Sequence, residues 1–327
     1  MPSRILVTGS SGHLGEALVR VLRDAGHEVV GLDVLPSATT TLTGSVADRA
    51  LVRRALSGAH AVLHSATLHK PHVGSHSWQE FVETNVTGTM TLLEEAAAAG
   101  VGRFVFTSTT SAFGRALTPA PGEPAAWITE DVRPVPRNIY GVTKVAAEDL
   151  CELAHREHGL PVLILRTSRF FPEPDDRDDV RTAYEDANLK VNELLNRRVD
   201  LEDVVAAHRL ALDRAPEIGF ARYIVSATTP FTPDDLAGVR VDAETVIRER
   251  VPEAAAVFEA RGWRFPDTLD RVYVNAKARA ELGWEPAWDF RGAVAAVAAG
   301  DEPRSALATA IGAKGYHAES TGVYTTR

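Results

Sequence analysis

The chain has 327 residues, 45% of them hydrophobic and 24% charged, proportions that exclude a disordered chain and fit a soluble globular protein of one large domain or a main domain with a smaller partner. With 35 Lys and Arg against 44 Asp and Glu, the formal charge is -9, which disfavours nucleic acid and membrane surfaces as partners. The single cysteine, Cys151, rules out an internal disulfide and reads as a small buried hydrophobe on a helix.

From Met1 the sequence runs directly into the strand-like Arg4-Ile5-Leu6-Val7, with no charged leader or long apolar core. No stretch reaches membrane-spanning length, so the expected location is the cytoplasm. Ile5-Leu6-Val7, an amphipathic pattern from Glu16 to Ala25, and Glu28 to Leu32 make a βαβ unit. The rhythm repeats with Ala61-Val62-Leu63, a helix from Trp78 to Ala99 and the strand Phe104-Val105-Phe106, as a helix-covered parallel sheet requires. Asn138 to His158 is predicted as a long helix closed by Gly159 and Pro161, with the strand Val162 to Leu165 next.

After Leu165 the alternation breaks at an acidic, proline-bounded stretch from Glu173 to Arg181. Asp200 to Asp213 resumes as a helix and Tyr223-Ile224-Val225 as a strand; short helices and loops follow to about residue 300. The expected fold class is α/β: a doubly wound parallel Rossmann sheet over residues 1–168, rejoined by 201–228, with a smaller C-terminal α/β substrate domain from 169–200 and 229–311. The polar tail 312–327 reads as mobile, or else as an arm on a neighbouring subunit.

Strand Ile5-Leu6-Val7 leads into Thr8-Gly9-Ser10-Ser11-Gly12-His13-Leu14-Gly15 and then a helix. Glycines at these positions allow a tight turn and close approach of backbone amides to a pyrophosphate, which the positive end of the helix also favours. A second strand ends at Asp33, where a carboxylate can accept the adenosine ribose hydroxyls. The same charge repels a 2′-phosphate, and Val34-Leu35-Pro36 brings no arginine to neutralise one. The expected cofactor is therefore NAD.

Tyr140 and Lys144 stand one turn apart on one helix face. A phenol is a poor base at neutral pH, and a neighbouring ammonium favours its phenolate, so this pair suits proton transfer at an alcohol or ketone oxygen.

In order, TGSSGHLG, Asp33, HSAT at 64–67, NVTGT at 85–89, FTSTTSAFG at 106–114, YGVTK at 140–144 and LRTS at 165–168 resemble an extended short-chain dehydrogenase/reductase of the NAD-dependent epimerase/dehydratase family over residues 4–290. The resemblance implies that Thr109 hydrogen-bonds the reacting oxygen, Tyr140 shuttles the proton and Lys144 tunes it and holds the nicotinamide ribose. It places Gly9, Ser11, Gly12, His13, Leu14, Gly15, Asp33, Ala66, Thr67, Asn85 and Thr107 along the cofactor or bracing it. Ser45 and Val46 fall near adenine, with Ser45 standing where the family usually carries Asp. His69, Lys70, Ser108, Thr110 and Arg169 fall on the substrate side. The family also implies a homodimer.

No carboxyl group follows Thr109, which is succeeded by Thr110 and Ser111; this disfavours the 4,6-dehydratase and decarboxylase reactions of the family. Arg169 stands where nucleotide-sugar members carry Asn, and Phe171-Pro172-Glu173 replaces their Tyr-Gly-Pro. Arg166 and Arg169 could instead receive an anion or pair with the acidic stretch. Among His64, His69, His72 and His76 the three-residue gap between the last two invites a metal reading, but no HExxH pattern or paired carboxylates accompany them, and no metal is expected. The reading is an NAD-dependent oxidoreductase or epimerase acting on a small sugar or polyol, with sugar epimerisation as the specific expectation. Its alternatives are a simple dehydrogenase or ketone reductase on a non-nucleotide substrate and a non-enzymatic NAD-binding regulatory protein.

Overall fold

The computed structural model describes residues 3–175 and 177–315. In chain order its strands are β1 (Arg4–Thr8), β2 (Glu28–Asp33), β3 (Leu42–Thr43), β4 (Ala61–His64), β5 (Arg103–Thr109), β6 (Ala126–Ile128), β7 (Val162–Thr167), β8 (Phe220–Val225) and β9 (Arg271–Tyr273). The helices that bear on the site are α1 (His13–Asp24), α2 (Arg49–Ala55), α3 (Trp78–Val82), α4 (Gly88–Ala98), α5 (Ile139–His158), α6 (Asp178–Ala183), α7 (Asp186–Glu193) and α8 (Leu201–Ile218).

Seven strands form one parallel sheet in the order β3-β2-β1-β4-β5-β7-β8. The chain reverses its direction of winding at β1, where β2 pairs on one edge and β4 on the other. At such a switch point the loops beyond the carboxyl ends of the strands diverge and leave room for a ligand. Strand centres such as Leu6, Val62, Phe104 and Ile164 are fully buried, as a sheet covered on both faces demands. This is the doubly wound α/β fold that the repeated βαβ pattern predicts.

The described residues fall into two compact units. One gathers 3–112, 136–166 and 204–223; the other 113–135, 167–203 and 224–315. Residues 113–135, placed by the sequence reading in the nucleotide domain, cluster with the second unit, where β6 pairs with β9. The second unit has its own aromatic core, with Phe258 and Phe265 stacked 4.1 Å apart and Phe290 and Trp263 against Phe258. Of the expected tail, 312–315 is described and 316–327 lies outside the described residues.

The helix expected from Trp78 to Ala99 is interrupted by a π-turn, Glu83–Thr87, joining α3 to α4. Such turns carry one extra residue, re-aim side chains and recur at functional sites. No helix among the described residues is long and apolar enough to cross a membrane.

Candidate active site

The glycine turn follows β1 immediately. Gly9 has φ +72°, and a Cβ there would lie 2.7 Å from the Ala66 nitrogen; a Cβ on Gly15 would lie 1.9 Å from the Gly9 carbonyl oxygen. Only bare backbone fits, so the start of α1 sits directly on the turn. First-turn amides have no acceptor within a helix, and Gly12 caps this one without a side-chain hydrogen bond. Donors and the positive helix end are thus presented together, which fits a pyrophosphate. His13 and Leu14 are buried beside them.

Asp33 closes the far side. Its Oδ2 accepts from the Ser11 amide at 2.9 Å and its Oδ1 from the Leu35 amide at 2.9 Å. Each oxygen keeps a further lone pair for a ribose hydroxyl. The Ser11 hydroxyl donates to the Leu35 carbonyl at 2.8 Å. Ser45 is exposed and accepts from the Ala47 amide. Val46 is buried against Gly88, where a Cβ would lie 2.6 Å from its Cγ2.

Asn85 stands in the π-turn, 2% exposed. Its Oδ1 accepts from the Leu68 amide and the Thr67 hydroxyl, and its amide donates to the Leu68 carbonyl and to Thr143 on α5. The loop after β4 is thereby tied to α5. His64 adds a second tie, with Nδ1 2.7 Å from the Thr8 hydroxyl and Nε2 2.9 Å from Thr89. Burial and the Lys144 charge push this imidazole down to about 3, so it bridges as a neutral ring. In the sequence His64 opens the HSAT motif and also stands among the histidines weighed as metal ligands. Its burial at the end of β4 was legible in the alternation, but its partners were not.

Thr109 ends β5, its hydroxyl accepting from the Ser111 amide at 3.1 Å and lying beside the Tyr140 phenol. Tyr140 and Lys144 project from α5, whose start is fixed by the Asn138 side chain accepting from the Gly141 amide. All three are at least nine-tenths buried: Thr109 and Tyr140 are 8% exposed and Lys144 2%. Lys144 Nζ donates to the Thr107 carbonyl at 2.6 Å and lies 4.0 Å from the Phe106 ring centre.

Burial pushes the phenol up to about 12, with the Thr109 hydrogen bond opposing, and draws the amine down to about 7, with the Glu148 charge opposing. The expected lowering of the phenol by the amine is therefore not what the protein alone produces. Both groups have lost water, and each moves toward its neutral form.

One further expectation is corrected, and the open readings of two arginines are decided. The Ser108 hydroxyl, expected to face the substrate, donates to buried Glu148 at 2.5 Å. Arg166 donates to the same carboxylate, so it is committed within the first unit. Arg169 lies in the second unit, paired with Asp175 at 2.6 Å and Glu193 at 3.2 Å; of its two readings, pairing within the protein is the one realised. The Thr107 hydroxyl meets His208 at 2.8 Å. Thr110 is buried in the turn after β5, His69 is half-buried, and Lys70 is exposed at the start of the Lys70–Gly74 turn. Among the described residues no three His, Cys, Asp or Glu side chains meet as metal ligands.

The profile of the NAD dependent epimerase/dehydratase family matches residues 5–219. The chain belongs to this family. Its cofactor is accordingly NAD, for which the glycine turn and Asp33 provide the fit described above. Among its relatives, a UDP-glucose 4-epimerase of Streptomyces lividans is 27% identical, over 88% of this chain and 92% of that one. A dTDP-glucose 4,6-dehydratase of Streptomyces antibioticus is 30% identical, over 89% and 90%. A short-chain dehydrogenase/reductase superfamily protein of Agrobacterium tumefaciens, solved with bound NAD, superposes with a TM-score of 0.63 at 28% identity, over 91% and 97%. The family thus includes both epimerases and dehydratases.

Proposed function

We propose that this protein catalyses reversible hydride transfer at a secondary alcohol or ketone carbon of a sugar or similar small polyol, and that the specific reaction is sugar epimerisation. The observation that carries the reading is the buried meeting of the Tyr140 phenol and the Thr109 hydroxyl at the end of β5, with the Lys144 amine one helical turn below. Tyr140 exchanges the proton of the reacting hydroxyl, Thr109 holds the same oxygen, and Lys144 holds the nicotinamide ribose and, in its charged form, favours the phenolate. NAD, when bound, would supply the hydride acceptor and, for epimerisation, the source from which the hydride comes back. Leu14, Gly15 and neighbouring amides receive the pyrophosphate, and Asp33 receives the adenosine ribose and disfavours NADP.

Elimination of water needs a further acid and base. Thr110 and Ser111 follow Thr109 and supply neither, so dehydration is not proposed although the family contains it. A second reading, a dehydrogenase acting on a non-nucleotide substrate, draws on Arg169, which replaces the family's Asn and is occupied by Asp175 and Glu193.

Incubation with NAD and a panel of free sugars and nucleotide sugars separates these readings. An epimer by NMR with no rise in near-ultraviolet absorbance supports epimerisation, and release of NADH supports the dehydrogenase. No product from any alcohol, ketone or sugar, or tighter binding of NADPH than of NADH, overturns the reading. We also infer a homodimer through α3, α4 and α5, which leave Trp78, Val82, Met90, Val142 and Leu153 exposed. Sedimentation at the monomer mass contradicts it.

A further inference from the structure

We propose that Glu148 is a positioning residue whose carboxylate sets the charge carried by the Lys144 amine, an assignment that rests on the role given to Lys144 above. Glu148 follows Lys144 by one turn on the same face of α5 and is 1% exposed. Its Oε1 accepts from the Ser108 hydroxyl at 2.5 Å and from Arg166 Nε at 3.0 Å. Its Oε2 accepts from Arg166 Nη2 at 2.7 Å and Arg222 Nε at 3.3 Å. The carboxylate thus joins α5 to β5, β7 and β8.

A buried ion cluster is a weak source of stability, since apolar residues of similar volume often serve as well. Its position suggests another use. The immediate contacts of Lys144, the Thr107 carbonyl and the Phe106 ring, carry no net charge. On α5, Tyr140 and Cys151 are raised by burial and stay protonated. On β4, His64 is neutral, as is His208 on α8 behind Thr107. Asp149 and Glu152 also lie on α5, but they are far more exposed and reach Arg222. Among these described groups, Glu148 is the buried negative charge set against the desolvation of the amine. Arg166 and Arg222 share that charge and moderate it, leaving the amine poised between its two forms.

The test is a direct titration of Lys144. The chain has five lysines, so labelling them with carbon-13 at Cε gives few signals, and Lys144→Met identifies the one of interest. Wild type is expected to show one midpoint well below the others. Glu148→Gln moves it down by at least about one pH unit, a tenfold loss of proton affinity, and Glu148→Asp restores part of the shift. Arg222→Met, at a side chain 24% exposed, moves the midpoint up by releasing charge on Glu148. Local damage to the fold does not produce opposite shifts from these two changes. An unmoved Lys144 midpoint in folded Glu148→Gln, or a downward shift in Arg222→Met, overturns the assignment. Should Glu148→Gln fail to fold, Glu148→Asp and Arg222→Met decide by the same signs. No substrate is needed, so predicted shifts in a protein that turns over nothing would count against the proposed function and leave the Glu148 assignment standing.

Discussion

At the residue scale, the phenol and amine carry opposite burdens. Tyr140→Phe removes one oxygen and is expected to lower turnover by about 10²–10⁴-fold, while NAD affinity measured by calorimetry stays near wild type. Lys144 has a folded value near 7 against 10.5 for the free side chain. Between these values the unfolded chain binds more protons, so its contribution to stability improves as pH rises from about 7 to 10.5; below 7 the penalty is complete. Lys144→Met should therefore raise the melting temperature at pH 7 and abolish turnover, the gain over wild type shrinking towards pH 10. A melting temperature lowered at pH 7 would contradict the desolvation argument. The spacing of Tyr140 and Lys144 was legible because helical periodicity alone places them on one face. The fate of Ser108 was not, because its partner Glu148 lies 40 residues further along the chain, whereas Arg169 pairs with Asp175 in the acidic stretch, as one of its two readings had it.

At the scale of elements, the glycine turn was readable as strand, turn and helix in sequence, and its geometry explains why. Gly15→Ala forces a methyl group to within 1.9 Å of the Gly9 carbonyl oxygen unless α1 shifts. Overpacking of this kind costs about 1–3 kcal/mol, and the displaced amides should weaken NAD binding at least tenfold. Unchanged urea midpoint and NAD affinity would show that α1 is not held against the turn as described. The π-turn at Glu83–Thr87 had no such signal, since one additional residue in a helix leaves the local composition helical. It matters nonetheless, because Asn85 reaches both Leu68 and Thr143 from that turn.

At the scale of the molecule, acid stability is governed by imidazoles that are neutral in the fold. His208 Nδ1 meets the Val204 carbonyl at 2.8 Å and so must carry the hydrogen, leaving Nε2 to accept from Thr107. Burial pushes this ring down to about 4. Above about 6.5 neither state is charged. Below it the unfolded chain takes up a proton first, so stability is lost as pH falls towards 4, by about 3 kcal/mol at that limit. His208→Gln should flatten the fall in urea midpoint between pH 6.5 and 4; an equally steep fall would exclude His208 as its source.

The sheet at this scale was legible from alternation, whereas residues 113–135 were misassigned because the pairing of β6 with β9 spans more than a hundred residues. Each compact unit is sewn from three separated lengths of chain. A fragment ending at residue 168 would retain the glycine turn, Thr109, Tyr140 and Lys144, yet would lack β8 and the whole of α8. Expressed alone, it should show little protease resistance and no dinucleotide affinity, and a stable NAD-binding fragment would refute this. Grafting this half onto another substrate module is therefore a matter of exchanging several interleaved segments, and a single crossover point cannot achieve it.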